Sequence, residues 1–215
     1  MSSSAANGRH LTLEAIPGRP AWEIAYLYPP QGDWSEADYL ELSRSSNRMV
    51  EFSDGWIEVL PMLTVEHQRI VKALFKLLEA YVESGAGGEV LFAPLPVRLR
   101  AGKYREPDLI YLKPKRSRAA REFPAGADLV IEVMSEGEEN RERDLKTKRK
   151  EYASAGITEY WIVDPLDQRI TVLTLKGSNY KVYGDFGRGD SAKSVLLPGF
   201  TVSVDAVLDA AKPRS

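Results

Sequence analysis

Cysteine is absent from this sequence of 215 residues. Without thiols the protein cannot form disulfide bonds, use a thiolate nucleophile or bind zinc through cysteine. The sequence also lacks an apolar run of about 18 residues, the length that a membrane-spanning helix requires. The first ten residues, MSSSAANGRH, do not show the basic and then apolar layout of a secretory signal. These absences favour a cytoplasmic protein that does not enter a membrane.

The composition that remains is ordinary for a globular protein, with 43% hydrophobic and 28% charged residues. A chain of this length is expected to form a single α/β domain. The serine-rich start and the proline- and glycine-spaced stretches after it predict a flexible leader over residues 1–34. The folded domain is then expected over residues 35–210.

One segment stands apart from the overall charge of −2 and the sequence pI of about 5.9, which argue against a strongly basic surface for nucleic acid. Between Arg98 and Arg121, nine cations oppose only Glu106 and Asp108, so the segment carries nine minus two, or +7. Such a segment is either a solvated loop or a surface that attracts anions. The charge run alone does not decide between these two.

Capping signals and apolar periodicity predict three main helices. Ser35 begins a short helix that runs to Leu42, with an acid three residues after the cap. Thr64 begins the longest helix, which carries apolar residues at helical spacing and ends at Gly85. A polar helix is predicted over residues 138–155.

Short apolar runs between turn signals predict the strands. Asp54-Gly55 and Gly177 are expected to turn an N-terminal and a C-terminal β-hairpin. The runs EVLFAPLPVRLR and YREPDLIYL are predicted as two strands joined by a turn at Gly102, and DLVIEV and EYWIVDP as two further strands. The alternation of strands and helices predicts an α/β fold with a mixed β-sheet flanked by helices.

Two of the predicted strands each place one acid among apolar residues. These acids are Asp108 in EPDLIYL and Glu132 in DLVIEVM. A lone carboxylate taken out of water is costly, and two brought together repel unless one is protonated or a cation joins them. Hard divalent cations such as Mg²⁺ favour oxygen ligands, so we predict a metal shared by the two acids. An ion pair of Glu132 with Arg105 or Arg143 is the alternative.

The predicted helices supply further candidates. Asp144, Lys148 and Tyr152 follow one another at intervals of four residues along one stripe of the polar helix. A lysine near the acids can position an attacking water and stabilise charge on a phosphodiester, although this stripe is equally expected of a solvated helix surface. Glu66 is a candidate third oxygen ligand or a charge that favours the helix N-terminus. His67 is expected to pack or to form a hydrogen bond.

Six stretches carry a resemblance to a known family. They are VEFSDGWIEVLPM, VEHQRIVKALFKLLE, YREPDLIYL, DLVIEVMSEG, RDLKTKRKEYASAGITEYWIVDP and LLPGFTVSV. In this order, over about residues 35 to 206, they resemble the Uma family of restriction endonucleases in the PD-(D/E)XK nuclease superfamily. The resemblance implies a restriction-endonuclease-like core and Mg²⁺-dependent cleavage of DNA phosphodiesters, with Mn²⁺ as a substitute.

The resemblance also implies roles for individual residues. Asp108 takes the place of the PD acid, Glu132 that of the second acid, and Glu66 that of a helix acid found in many members. The superfamily lysine normally follows the second acid by two residues, where this sequence has Met134. The Uma pattern assigns its role to Lys148 on the next helix.

Three expectations complete this interpretation. Lys146 and Lys150 compete with Lys148, but each is turned roughly 160° away around the helix. The basic segment is expected to guide the DNA backbone, and a homodimer is expected because two symmetric sites cut two strands most easily. The cations assigned to nucleic acid are Arg105, Lys113, Lys115, Arg116 and Arg118.

Two other functions stay open. The missing strand lysine is compatible with a nuclease-fold protein that binds nucleic acid or a partner protein without cutting. The carboxylates are also compatible with a general acid–base hydrolase that acts on another substrate class without a metal. Titration with Mg²⁺ or Mn²⁺ separates the first of these from a nuclease, because an intact acid pair binds metal.

Overall fold

The computed structural model describes residues 28–46, 48–135 and 143–213. A four-stranded antiparallel sheet contains β1 (Val50–Ser53), β2 (Trp56–Val59), β4 (Val97–Arg100) and β5 (Lys103–Arg105), in the order β2-β1-β5-β4. A six-stranded sheet contains β3 (Glu89–Phe92), β6 (Leu109–Leu112), β7 (Leu129–Val133), β8 (Glu159–Asp164), β9 (Arg169–Lys176) and β10 (Asn179–Phe186), in the order β10-β9-β8-β7-β6-β3. The strands β11 (Ser191–Lys193) and β12 (Thr201–Ser203) pair separately.

Helices pack against both sheets, and the larger sheet has helices on each face. They are α1 (Glu36–Ser45), α2 (Val65–Tyr81), α3 (Pro114–Ala119), α4 (Arg149–Ser154) and α5 (Val204–Asp209), with π-helical segments at Val82–Ala86 and Arg143–Lys148. The predicted starts at Ser35 and Thr64 are confirmed, because each hydroxyl accepts a backbone N–H of the first turn. Among these residues, no helix is long and apolar enough to cross a membrane.

Both predicted hairpins are present. Asp54 and Gly55 adopt φ angles of 49° and 90°, as the two-residue turn between β1 and β2 requires. A Cβ on Gly55 would lie 2.2 Å from the carbonyl oxygen of Gly32, so only glycine fits this turn. Gly177, with φ of 62°, turns β9 into β10. This C-terminal hairpin extends the six-stranded sheet and is not an addition beside it.

The two runs on either side of Gly102 pair with each other, but each forms two strands and not the single strand that was predicted. Each run divides between the two sheets, since β3 and β6 belong to the larger sheet and β4 and β5 to the smaller one. The breaks fall at prolines, which cannot donate to a strand ladder. Pro107 interrupts the second run between β5 and β6. The residues next to it, Glu106 and Asp108, therefore lie where the two sheets meet.

The larger sheet has an apolar layer on each face. Alternation along β7 sends Leu129, Ile131 and Val133 toward the α2 layer, and Val130 toward the layer that contains α4. Glu132 shares the face of Val130 and so points toward α4. Strands β7 and β8 are parallel and the other neighbours are antiparallel. This arrangement confirms the predicted mixed sheet flanked by helices.

The ordered structure begins before residue 35. Trp34 is buried and stacks on Tyr28, and the Gln31 amide donates to the carbonyl of Ile57. Residues 28–34 are therefore part of the folded unit rather than of the predicted leader. The remainder of that leader, residues 1–27, lies outside the described residues.

Candidate active site

The pairing of β6 with β7 brings the two strand acids together. The register places Leu109 opposite Ile131, and one further step places Asp108 opposite Glu132. Both carboxylates are buried, with 5% and 3% of their surface exposed. They line one cavity of about 30 Å³, together with Glu106, His67 and Lys148. We call this space the acid cavity.

Glu132 is balanced by groups from the following helix. Its Oε1 accepts hydrogen bonds from Lys148 Nζ at 2.9 Å and from the Tyr152 hydroxyl at 2.6 Å. The predicted alternative of an ion pair with Arg105 does not occur, because Arg105 pairs with other acids. The side chain of Arg143 lies outside the described residues. Glu132 therefore lies on a buried strand and forms an ion pair with Lys148.

Of the three candidate lysines, Lys148 is buried and the other two are exposed. Lys148 is 2% exposed and lies at the end of the π-helical segment, a distortion that often occurs at functional sites. Its Nζ also lies 3.7 Å from Oε1 of Glu51. Lys146 and Lys150 are exposed. The side chain of Asp144, the first residue of the predicted stripe, lies outside the described residues.

Asp108 is held by groups of the neighbouring strand and of α2. Its Oδ2 accepts the backbone N–H of Val133 at 2.7 Å and lies 3.2 Å from His67 Nε2. The same Nε2 lies 3.0 Å from the carbonyl oxygen of Val133. Burial opposes a charge on His67, but the hydrogen bond and negative charge of Asp108 outweigh it and raise the pKa of His67. His67 is therefore a hydrogen-bonding partner of Asp108, as expected.

Two buried glutamates next to this pair were missed in the sequence. Glu51 is fully buried and accepts hydrogen bonds from the Glu106 N–H and from Arg105. Glu106 accepts the Val50 N–H with Oε1, while its buried Oε2 has no partner within the described residues. Burial, reinforced by the negative charge of Glu51, raises the pKa of Glu106 to about 7. The signal for Glu106 was its place beside Pro107.

Glu66 does not join the acid pair. It lies exposed in the first turn of α2 and faces a neighbouring cavity rather than the acid cavity. Hydrogen bonds from its own backbone N–H and from Thr64 lower its pKa. The predicted third ligand therefore has no support in this geometry. Glu66 is better described as a negative charge that stabilises the N-terminus of α2.

Arg105 does not reach a nucleic-acid surface. It is 6% exposed, and its guanidinium donates to Glu51 at 3.1 Å and to Glu151 at 2.7 Å. These charges, with Lys103 on Glu151, hold the pKa of Glu151 down although burial raises it. The predicted phosphate contact of Arg105 does not fit this arrangement. Its role is to hold α4 against the smaller sheet.

The charge of the basic segment is reduced by acids from other elements. Arg98, Arg100, Lys103, Arg105 and Arg116 each form an ion pair. Lys113, Lys115, Arg118 and Arg121 form none with the described residues. These four cations lie on and around α3, which follows the C-terminal end of β6, whereas Asp108 precedes the N-terminal end of that strand. Three of them, with Arg116 and Phe123, line an open cavity of about 570 Å³, which we call the basic cavity.

The donor set fits a divalent cation in part. No group of three or more His, Asp or Glu side chains converges to hold a metal within the described part of the chain. Mg²⁺, however, is often bound by one or two carboxylates with water and substrate oxygens as the other ligands. Asp108 and Glu132 supply two carboxylates on one cavity, whose lining also includes Glu106; Oε2 of Glu106 is buried and has no hydrogen-bond partner among the described residues.

Comparisons with known proteins identify the family and the fold of the chain. A family model described as "Uma2: Putative restriction endonuclease" matches residues 36–205. The chain belongs to the Uma2 family. The family match confirms the resemblance of the six sequence stretches and covers every element from α1 to β12.

A solved structure has a similar fold. It is described as "a putative nuclease belonging to DUF820" from Anabaena variabilis ATCC 29413, with a TM-score of 0.64. At 15% identity, the match covers 78% of this chain and 93% of that one, which establishes a common fold. No curated protein matches the Uma2 chain.

Proposed function

We propose that this Uma2 protein is a divalent-cation-dependent nuclease that hydrolyses phosphodiester bonds of DNA. The observation that carries the proposal is the acid cavity, where Asp108 and Glu132 from adjacent strands meet beside the Lys148 ammonium. The family description supports a nuclease. Mg²⁺ is the expected cation, with Mn²⁺ as its substitute.

The residues of the acid cavity have distinct tasks. Asp108 and Glu132 would hold the cation, which when bound would polarise the phosphodiester and make water a better nucleophile. Lys148 would place a positive charge beside the phosphate and offset the negative charge that develops during attack. The water oxygen forms a bond to phosphorus while the bond to one ester oxygen breaks, giving a phosphate monoester and a hydroxyl group.

The basic cavity gives the substrate a second contact. Lys113, Lys115 and Arg116 line this cavity and would contact backbone phosphates, with Asp128 orienting Arg116. Arg118 lies on α3 outside the lining and would contact a phosphate beside the cavity. Lys113 follows Asp108 by five positions, which corresponds to about 16 Å along a strand. With one phosphate per about 3.4 Å of helix axis on each strand of duplex DNA, a duplex substrate must extend about five nucleotides to reach both.

The proposal is tested with plasmid and linear DNA in the presence of Mg²⁺ or Mn²⁺. Cleavage is expected from the wild type, and EDTA should stop it. Asp108→Asn keeps an oxygen that can accept the Val133 N–H but removes the charge, so it should lose at least about a thousandfold in rate. Lys150→Met, on the exposed side of α4, is the matched control and should cut normally. Cleavage that survives EDTA, or an Asp108→Asn rate equal to that of the control, would refute the proposal.

A binding protein without nuclease activity is the second candidate. One observation favours it, namely that the carboxylate oxygens already have protein partners. Glu132 Oε1 accepts hydrogen bonds from Lys148 and Tyr152. Asp108 Oδ2 accepts the Val133 N–H and lies 3.2 Å from His67 Nε2. Calorimetry with Mn²⁺ separates the two candidates. Binding that Asp108→Asn abolishes supports the nuclease, whereas DNA binding without any metal uptake supports the second candidate.

We include a homodimer in the proposal, because two sites related by symmetry would cut both strands of a duplex. Sedimentation equilibrium of the wild type measures this directly. A monomer at the concentrations that support cleavage would remove the dimer from the proposal and leave the chemistry of the acid cavity unchanged.

A further inference from the structure

A second cavity opens directly beside the acid cavity. It has a volume of about 400 Å³ and shares Pro61, His67, Val133 and Ser135 with the acid cavity. Its volume lies within the range of about 300–1,000 Å³ that is typical of small-molecule sites. A group bound there would lie next to any phosphate bound at Asp108 and Glu132. We call it the apolar cavity.

The walls of the apolar cavity are built for an uncharged group. Met62, Met134, Leu166 and Ile70 contribute apolar surface, and no lysine or arginine lines it within the described residues. Met62 and Leu166 remain 83% and 57% exposed at its edge. Two ionisable groups are in the lining: the carboxylate of Glu66, which would repel a phosphate, and the imidazole of His67, whose Nε2 is held by Asp108 and the Val133 carbonyl.

Met134 connects this cavity to the unusual motif of the chain. It occupies the position where the superfamily lysine is expected, two residues after Glu132. Met134 is 5% exposed and contributes an apolar wall, while the ammonium group comes from Lys148 on the helix. With Met134 in this position, a neutral side chain lies where the superfamily pattern has a lysine.

From this juxtaposition we propose that the apolar cavity receives a nucleobase of the nucleotide next to the phosphate that is cut. The inference rests on the proposed nuclease function. A nucleotide is a phosphate joined to a flat, uncharged base, which matches an acid cavity continuous with an apolar one. Bases in a duplex are stacked and paired, so a base enters such a pocket only when it is unpaired or extruded. The substrate class is therefore DNA with an unpaired nucleotide at the cut.

Binding without cleavage tests this directly. In an Asp108→Asn background, anisotropy is measured with a labelled single-stranded 20-mer, with the same strand in a duplex, and with a strand in which every second base is replaced by an abasic residue. Met62→Ser with Leu166→Ser forms the cavity variant. Val182→Ser, at an apolar residue on β10 whose exposure of 54% is close to that of Leu166, is the control.

We expect the parent to bind the single strand at least about tenfold more tightly than the duplex, because an unpaired base can remove its apolar surface from water in the cavity and a paired base cannot enter it. The cavity variant should lose that preference, and the control should keep it. Abasic substitution should weaken the parent about tenfold and leave the cavity variant unchanged. A preference that survives in the cavity variant, or equal affinity for the abasic and intact strands, would overturn the inference.

Cleavage by the Met62→Ser, Leu166→Ser protein with intact Asp108 separates the two proposals. Metal-dependent cleavage with the same preference for single strands as the wild type would overturn the base site and leave the nuclease standing. An absence of cleavage in the wild type would overturn the nuclease, while the binding measurements would still report on the apolar cavity.

Discussion

Glu106→Gln is expected to stabilise the protein at alkaline pH. The wild-type carboxyl is 3% exposed, and burial together with the charge of Glu51 raises its pKa from an ordinary 4.5 to about 7. The folded state thus keeps a proton that the unfolded chain releases near pH 4.5. The stability that this proton contributes is present below pH 4.5 and is lost as the pH rises toward 7.

The magnitude follows from the size of the shift. A difference of about 2.5 pH units, at 1.36 kcal/mol per unit, corresponds to about 3 kcal/mol. Glutamine resembles the protonated carboxyl in shape and cannot ionise. The variant and the wild type should therefore be about equally stable at pH 4.5, and the variant should be more stable by up to about 3 kcal/mol at pH 8.

Urea unfolding from pH 4.5 to pH 8.5, in EDTA to exclude cations, measures the difference. Glu83→Gln, at an exposed glutamate beyond α2, serves as the control and should show a difference within about 0.5 kcal/mol at every pH. A constant difference between Glu106→Gln and the wild type across the range would show that ionisation of Glu106 is not its cause. A variant that is less stable than the wild type at pH 8 would contradict the assigned pKa direction.

Three further predictions concern the charged groups. Lys148→Met removes the amine that pairs with Glu132 and lies near Glu51, and should lower the free energy of unfolding by about 3–5 kcal/mol in urea titrations, while Lys150→Met should leave it unchanged. Glu151→Gln should cost about 3 kcal/mol at pH 7. Because the pKa of Glu151 is lowered, this loss should be full above pH 4.5 and should shrink as the pH falls below that value. Lys115→Glu with Arg118→Glu should weaken DNA binding and reduce the slope of log affinity against log salt by about two, as anisotropy at several salt concentrations would show.

Local chemistry made several elements predictable from sequence. The caps at Ser35 and Thr64 and the turn at Asp54-Gly55 each depend on two to four consecutive residues, so the sequence contains the whole signal. The division of strands between two sheets depends instead on which distant strands pair. Prolines marked the breaks and Gly102 marked the turn between the two runs, but nothing near them specified that β5 would join β1 in one sheet and β6 would join β7 in the other.

Some residues of the candidate site could be recognised from the sequence and others could not. Asp108 and Glu132 stood out because each interrupts an apolar run, and the family pattern added Lys148. Glu51 could not be recognised in this way, because alternation between Val50 and Phe52 predicts a solvent-facing position. It is buried because Arg105 and Lys148 approach that face from other elements. Such a partner arrangement exists only in the folded chain.

The balance of charge at the centre of the molecule favours function over stability as the reason for these residues. Asp108, Glu132 and Glu106 line one cavity together with the amine of Lys148. Buried ion pairs are often no more stable than apolar residues of the same volume, and Glu106 adds a carboxyl whose ionisation opposes folding. A core selected for stability alone would not concentrate acids where two sheets meet. Among the described residues, buried acids that line one cavity beside a lysine are instead the arrangement that the proposed binding of a cation together with its substrate requires.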